Sequence, residues 1–318
     1  MKEIIGNTPM IKIKYQYKGE KKEIYTKLEY YNVTGSIKDR MASYILNCAK
    51  QNKTLIDHMP IVEATSGNTG ISLSALGAYM KHPVYIFMPD WVSKERIKIM
   101  EMFGAKVQLF SKEEGGFKRC IQEAENLSKK LNGFLVNQFE NSNNLLAHYY
   151  TTAQEILDQL SSVSAFVSGI GTGGTLMGVS KKLKEKNQET IICAIEPDTM
   201  AILSKGKIDS HKIEGIGDDF IPELVDSNKI DKIILVNDMD AINMARMIAK
   251  QLGLGVGISS GANLIGAILL KEEVEGNVVT VFPDDHKKYI STELSESKDD
   301  NINMLSNQIE LLGYEVVK

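Results

Sequence analysis

The chain has 318 residues, 43% of them hydrophobic and 25% charged, with a formal net charge of −4. That length is enough for a buried core and points to two domains. A mildly acidic chain with scattered Lys and Arg argues against nucleic acid or an anionic membrane as partner, and apolar runs such as ANLIGAILL (262–270) are too short to span a bilayer.

The opening MKEIIGNTPMIKIKY lacks a signal-peptide apolar region, so a cytoplasmic location is expected. Short β-rich runs then alternate with longer amphipathic stretches. PIVEAT (60–65) precedes NTGISLSALGAYMK, PVYIFMP (83–89) precedes SKERIKIMEMFG, and KVQLF (106–110) precedes GFKRCIQEAENLSKKL. GFLVN (133–137) precedes a helix expected over 144–159, SAFVSGI (164–170) precedes TLMGVSKKLKEK, and IICAIEP (191–197) follows. Helices are expected at 241–253 and 261–273, and a strand within NVVTVFPDD (277–285). Repeated strand–helix–strand units imply an α/β fold of two domains, each a mostly parallel twisted sheet with helices on both faces. The polar stretch NQFENSNN suggests a division into 1–147 and 148–318, with about the first 40 residues packing against the second part. Cys48, Cys120 and Cys193 lie far apart without metal-ligand spacing, so reduced thiols and no metal site are expected.

In parallel α/β sheets ligands bind beyond the carboxyl ends of the strands. Three polar, glycine-rich segments fall there: TSGNTG (65–70), GIGTGGT (169–175) and GISSGA (257–262). Successive glycines let the backbone approach a ligand, and the helix that follows aims its N–H groups and positive dipole end at it. GIGTGGT therefore suits a phosphate, with Thr172 and Thr175 as hydroxyl donors. It also matches G-x-G-x-x-G, and Glu196 at the end of IICAIE could serve as the ribose-binding acid of a dinucleotide site. TSGNTG offers a second small-anion site built from hydroxyls, an amide and a helix start. Lys38, in TGSIKDR, is an ordinary surface residue unless it faces such a pocket, where its amine could form a Schiff base with an aldehyde cofactor.

TGSIKDR, TSGNTG, GTGGT and GISSGA, in that order, resemble the fold-type-II pyridoxal-phosphate enzymes of the cysteine synthase and cystathionine β-synthase family. The likeness runs from IGNTPMIKI (5–13) to PDDHKKYIST (283–292). It implies a tryptophan synthase β-like fold, pyridoxal 5′-phosphate as cofactor, a small amino acid as substrate and a homodimer. By this resemblance Lys38 carries the cofactor and is the base at Cα. Gly171, Thr172, Gly173, Gly174 and Thr175 hold its phosphate. Asn68 bonds the ring oxygen, and Ser259 stands at the pyridine nitrogen. Thr65, Ser66, Gly67, Thr69 and Gln138 receive the substrate carboxylate. A neutral hydroxyl at the pyridine nitrogen favours β-elimination to an α-aminoacrylate, followed by addition of a nucleophile at Cβ.

Two departures bear on the nucleophile. In IEGIGDDFIPE (213–223) the family's small residue and glycine are replaced by Asp218-Asp219. A carboxylate near Cβ would repel hydrosulfide by about 1–4 kcal/mol at about 4 Å, yet it could act as base on water. Asp219 is therefore expected to handle water, and the favoured reaction is release of hydrogen sulfide from L-cysteine with formation of L-serine. Lanthionine- or cystathionine-type replacement would share the intermediate, and an O-acetylserine sulfhydrylase is the alternative. A NAD(P)-dependent oxidoreductase is the remote one. Second, Asp285-His286 stand where the family has Ser-Gly, and are expected to alter charge at the pyridine end.

Overall fold

In the computed structural model, which describes residues 1–296 and 304–317, two sheets lie side by side in sequence-interleaved fashion. The strands are β1 (Met10–Tyr17), β2 (Glu20–Leu28), β3 (Ile61–Ala64), β4 (Val84–Pro89), β5 (Lys106–Phe110), β6 (Phe134–Leu135), β7 (Ala165–Gly169), β8 (Ile191–Pro197), β9 (Lys232–Val236), β10 (Val278–Phe282) and β11 (Ile309–Val316). The helices are α1 (Lys38–Gln51), α2 (Asn68–Met80), α3 (Lys94–Met102), α4 (Gly116–Leu131), α5 (Ser142–Tyr150), α6 (Thr152–Gln159), α7 (Gly174–Lys186), α8 (Ile202–Lys205), α9 (Asp238–Leu252) and α10 (Ile258–Lys271).

The larger sheet has the order β11-β1-β2-β10-β7-β8-β9 and the smaller β5-β4-β3-β6. Pairings β2–β10–β7–β8–β9 and all those of the smaller sheet are parallel, while β11–β1–β2 is antiparallel. The hairpin β1–β2 thus joins the larger sheet, whereas β3 to β6 form the smaller one. β1, MIKIKYQY, alternates apolar and polar residues, as an antiparallel strand near an edge does; β10, VVTVF, is buried throughout.

Each sheet is apolar on both faces because successive strand residues point opposite ways. On β7, Ala165 and Val167 join the cluster under α9 and α10, and Phe166 joins the one under α6 and α7. On β3, Ile61 packs toward α1 and α2, whereas Val62 and Ala64 pack toward α4. The continuous helix expected over 144–159 is two helices. Thr151, between them, turns its Oγ1 back to donate to the Ala147 carbonyl at 2.7 Å and has φ −117°, ψ −74°. Thr151 N–H donates to the same carbonyl at 3.0 Å, so the hydroxyl shares an acceptor of the ladder, an arrangement that bends helices. The last expected helix begins earlier than 261, at Ile258, which puts Ser259 in its first turn.

Among the described residues, no helix is long and apolar enough to cross a membrane.

Candidate active site

The three glycine-rich loops end on one cavity of about 880 Å³ between the two sheets. β3 delivers Thr65 to Thr69 and opens α2; β7 delivers Gly169 to Thr175 and opens α7; the start of α10 delivers Ser259. Lys38 is the first residue of α1, and its Nζ lies 3.4 Å from Thr172 Oγ1, so the amine sits beside the phosphate-type loop. Its turn is clamped from the far side of the chain. Ile37 N–H donates to Pro283 O at 2.8 Å and Lys288 Nζ to Gly35 O at 2.7 Å.

The glycine loop is built for close approach. A Cβ on Gly171 would run into the Gly215 carbonyl oxygen, and one on Gly174 into the Asn144 amide. Gly173 has φ +83°, in the left-handed region that favours glycine. Two residues one turn apart on α5 hold the loop's hydroxyls. Asn144 Nδ2 donates to Thr172 Oγ1 at 2.9 Å, and His148 Nε2 lies 3.3 Å from Thr175 Oγ1. Burial, with Arg40 and Lys38 nearby, keeps His148 neutral well below its ordinary range. Asn263 of α10 accepts Gly169 N–H at 2.8 Å and donates to Val281 O at 2.9 Å, fixing the loop's base.

On the other wall, Thr69 Oγ1 donates to Gln138 Oε1 at 2.6 Å, which brings together residues far apart in sequence. Thr65 Oγ1 accepts Gly67 N–H at 3.0 Å, shaping the turn. Ser66 gives its carbonyl to Arg96 Nη1 at 3.2 Å; the buried Arg96 also pairs with Glu214 and lies 4.9 Å over the Tyr289 ring. Asn68 Nδ2 donates one N–H to Asp284 Oδ2 at 2.8 Å, which leaves its second N–H for a ring oxygen.

Charge is concentrated around Lys38. Burial pulls its ammonium down from 10.5 to about 8, against the attraction of Asp218 and Glu63. Burial pushes Asp218 up to about 6; Lys38 opposes this and Asp219 adds to it. Asp218 is half-buried and Asp219 exposed, and both line the cavity. The acidic residue coupled to Lys38 is thus Asp218, the neighbour of the one singled out from sequence.

Asp285 and His286 are not among the cavity-lining residues. Asp285 lies 3.4 Å from Lys288 Nζ and accepts Lys287 N–H at 2.9 Å, while His286 is exposed. The expectation that they alter charge at the ring is corrected accordingly. The buried carboxylate beside them in sequence is Asp284, which accepts Asn68 Nδ2 at 2.8 Å and Tyr289 Oη at 2.7 Å. Glu196 is committed elsewhere. It accepts Leu203 N–H at 2.8 Å, Ser204 N–H at 3.1 Å and Ser204 Oγ at 2.7 Å, capping α8 instead of facing a ribose.

A primary amine beside a glycine cradle at a helix start fits an aldehyde that carries a phosphate. The family described as pyridoxal-phosphate dependent enzyme matches residues 1–284. The chain belongs to that family. Its cofactor is therefore pyridoxal phosphate, and the dinucleotide reading falls. Cysteine synthase B of Campylobacter jejuni is 42% identical over 295 residues, covering 92% of this chain and 97% of that protein. Among solved structures, a hydrogen sulfide-producing enzyme from Fusobacterium nucleatum superposes with TM-score 0.93 at 47% identity, covering 98% and 95% of the two chains. A cysteine synthase from Entamoeba histolytica superposes with TM-score 0.86 at 38% identity, covering 94% and 91%. This chain is thus a cysteine synthase-like pyridoxal-phosphate enzyme.

Sequence reading missed Arg96, Glu63, Asn144, His148 and Asn263. All are buried polar residues; Glu63 and His148 stand out as polar side chains among apolar neighbours, whereas Arg96 and Asn144 lie in polar stretches that carry no such signal.

Proposed function

We propose that the chain is an L-cysteine β-lyase that releases hydrogen sulfide and forms L-serine by adding water at Cβ. The observation that carries this is the acidic pair Asp218-Asp219 on the cavity wall, of which Asp218 is coupled to Lys38. The likeness to a hydrogen sulfide-producing enzyme supports it.

In this reading Lys38 holds the cofactor, which when bound supplies the electron sink that acidifies Cα and labilises the Cβ substituent. Gly171 to Thr175 hold its phosphate, Asn68 its ring oxygen, and Ser259 stands at its pyridine nitrogen. Thr65 to Thr69 and Gln138 hold the amino-acid carboxylate and so fix which face of Cα meets Lys38. The freed Lys38 amine takes the Cα proton and later returns it; a pKa of about 8 makes it a usable base near neutral pH. The Cβ–S bond breaks with its electron pair on sulfur, which leaves as hydrogen sulfide after gaining a proton. Asp218, pushed up to about 6, exchanges that proton readily at this end of the cavity. Asp219, facing solvent, takes a proton from the water whose oxygen bonds Cβ. The sum, cysteine plus water to serine plus hydrogen sulfide, balances.

A cysteine synthase using O-acetylserine and sulfide is the second reading, favoured by the names of the curated relatives. Asp219→Gly separates the two. Sulfide release from L-cysteine should fall at least about tenfold while cofactor absorbance is kept. Unchanged release would remove Asp219 from the reaction.

A further inference from the structure

One buried carboxyl beside the site has no part in the reaction just described. Glu63 lies on β3 directly before the substrate-carboxylate loop and is 3% exposed. Its Oε1 accepts Ala64 N–H at 2.8 Å and its Oε2 accepts Gln138 N–H at 3.2 Å. Gln138 answers with Nε2, which donates to Ala64 O at 2.9 Å, and with Oε1, which accepts Thr69 Oγ1 at 2.6 Å. These bonds close a ring around Glu63, Ala64, Thr69 and Gln138.

The ring begins where the sheet ends. β6 pairs with β3 only through Ile61↔Phe134 and Val62↔Leu135, with a last backbone bond from Val136 N–H to Val62 O. Beyond it the two chain segments diverge, and the Ala64 and Gln138 N–H groups have no ladder partner. Buried backbone donors must be paired, and the Glu63 carboxyl pairs both. It therefore sets the spacing between the Thr65–Thr69 loop and Gln138.

We propose that Glu63 is a positioning residue for the substrate carboxylate, bracing both arms of its site and weakening binding when it becomes charged. This rests on the reading that those arms receive an amino-acid carboxylate. Burial pushes Glu63 up to about 8; the Ala64, Gln138 and Asn137 N–H groups and the Lys38 charge oppose this. Its surroundings are otherwise mostly apolar. β4 places Ile86 opposite, and Ile61, two residues earlier on the same face, packs with Ile86 toward α1 and α2. Glu125 of α4 and Glu140 share a small cavity of about 70 Å³ with it. Below pH about 8 the brace is uncharged; above it, an anion stands behind an anion site, and like charges repel.

The test is to titrate the holoenzyme with L-alanine, which has the amino-acid head group but no Cβ leaving group, and to read Kd from the cofactor absorbance between pH 6.5 and 9.5. In the wild type Kd should rise as pH passes about 8. Glu63→Gln cannot ionise, so its Kd should show no rise as pH passes about 8, and at pH 7 the variant should bind alanine more weakly than the wild type, because the amide NH2 cannot accept one of the two backbone N–H groups. The alanine ammonium titrates equally in both, so the difference isolates Glu63. Glu63→Ala should weaken alanine about tenfold and raise KM for L-cysteine more than it lowers kcat. An alkaline limb kept in Glu63→Gln overturns the proposal, as does an unchanged Kd in Glu63→Ala. If Glu63→Ala does not fold, Glu63→Gln decides. Thr69→Val and Gln138→Leu are the controls: if both leave the alanine Kd unchanged, the carboxylate reading of the loop has failed, not the brace.

Discussion

Replacing Glu155 by Gln removes one charge from a buried ionic cluster next to the Lys38 turn. Glu155 accepts Arg40 Nη1 at 2.6 Å and Nη2 at 2.7 Å, pairs with Lys27 Nζ at 2.7 Å, and accepts Asn7 N–H at 2.9 Å. Arg40, in the first turn of α1, also donates Nε to Glu29 at 2.6 Å. Burial alone would raise the Glu155 carboxyl, but the Arg40 and Lys27 bonds and charges overcome it and hold it at about 2, against an ordinary 4.5. At about 1.36 kcal/mol per unit the difference corresponds to about 3.4 kcal/mol at neutral pH. This is an upper figure, because burial pulls the Lys27 ammonium down, so part of the attraction serves to keep Lys27 charged. A depressed carboxyl stabilises the fold above its unfolded value and loses that effect as pH falls through its folded one. The wild-type advantage over Glu155→Gln should thus be full above pH about 5, about 1.4 kcal/mol at pH 3, and small below 2. Urea unfolding of both proteins across this range measures it. A difference that is constant with pH, or that grows on acidification, would refute the reasoning.

Three further outcomes follow from the site. Gly171→Ala should lose pyridoxal phosphate on dialysis, because its Cβ meets the Gly215 carbonyl oxygen; full cofactor content by absorbance would contradict the cradle. Covalent capture of pyridoxal phosphate by cofactor-free protein should speed up as pH rises through about 8, where the lowered Lys38 amine becomes neutral, and a rise only near 10.5 would show that burial does not act on it. Asp218→Asn should remove a group titrating near pH 6 from the kcat profile for L-cysteine, and an unshifted profile would assign that proton elsewhere.

The ligand loops were legible in the sequence because each is a contiguous stretch whose chemistry is local. TSGNTG, GIGTGGT and the Lys38 turn announce themselves by glycines, hydroxyls and helix starts. The parallel strands were legible for a similar reason, being short Val- and Ile-rich runs covered on both faces. The Glu63 brace and the Asn68–Asp284 bond around them were not. Glu63 meets Gln138 across 75 residues and Asn68 meets Asp284 across 216, and nothing local marks such pairs. Strand β1 and the edge strand β11 left no strand–helix signature because they pair antiparallel and carry no crossover helix. Adjacent residues are hardest of all. Asp218 and Asp219 share composition and context, and only the folded structure separates them, with Asp218 half-buried and coupled to Lys38 and Asp219 exposed.

The central claim is that water, not sulfide, is the nucleophile at Cβ. The direct measurement gives the purified holoenzyme L-cysteine alone, and separately O-acetylserine with sulfide, and quantifies hydrogen sulfide, serine, lanthionine and cysteine in each. Equal amounts of hydrogen sulfide and serine are expected from cysteine, with slow cysteine formation from O-acetylserine. Fast cysteine formation from O-acetylserine, with little sulfide released from cysteine, would contradict that claim and make the chain a biosynthetic cysteine synthase.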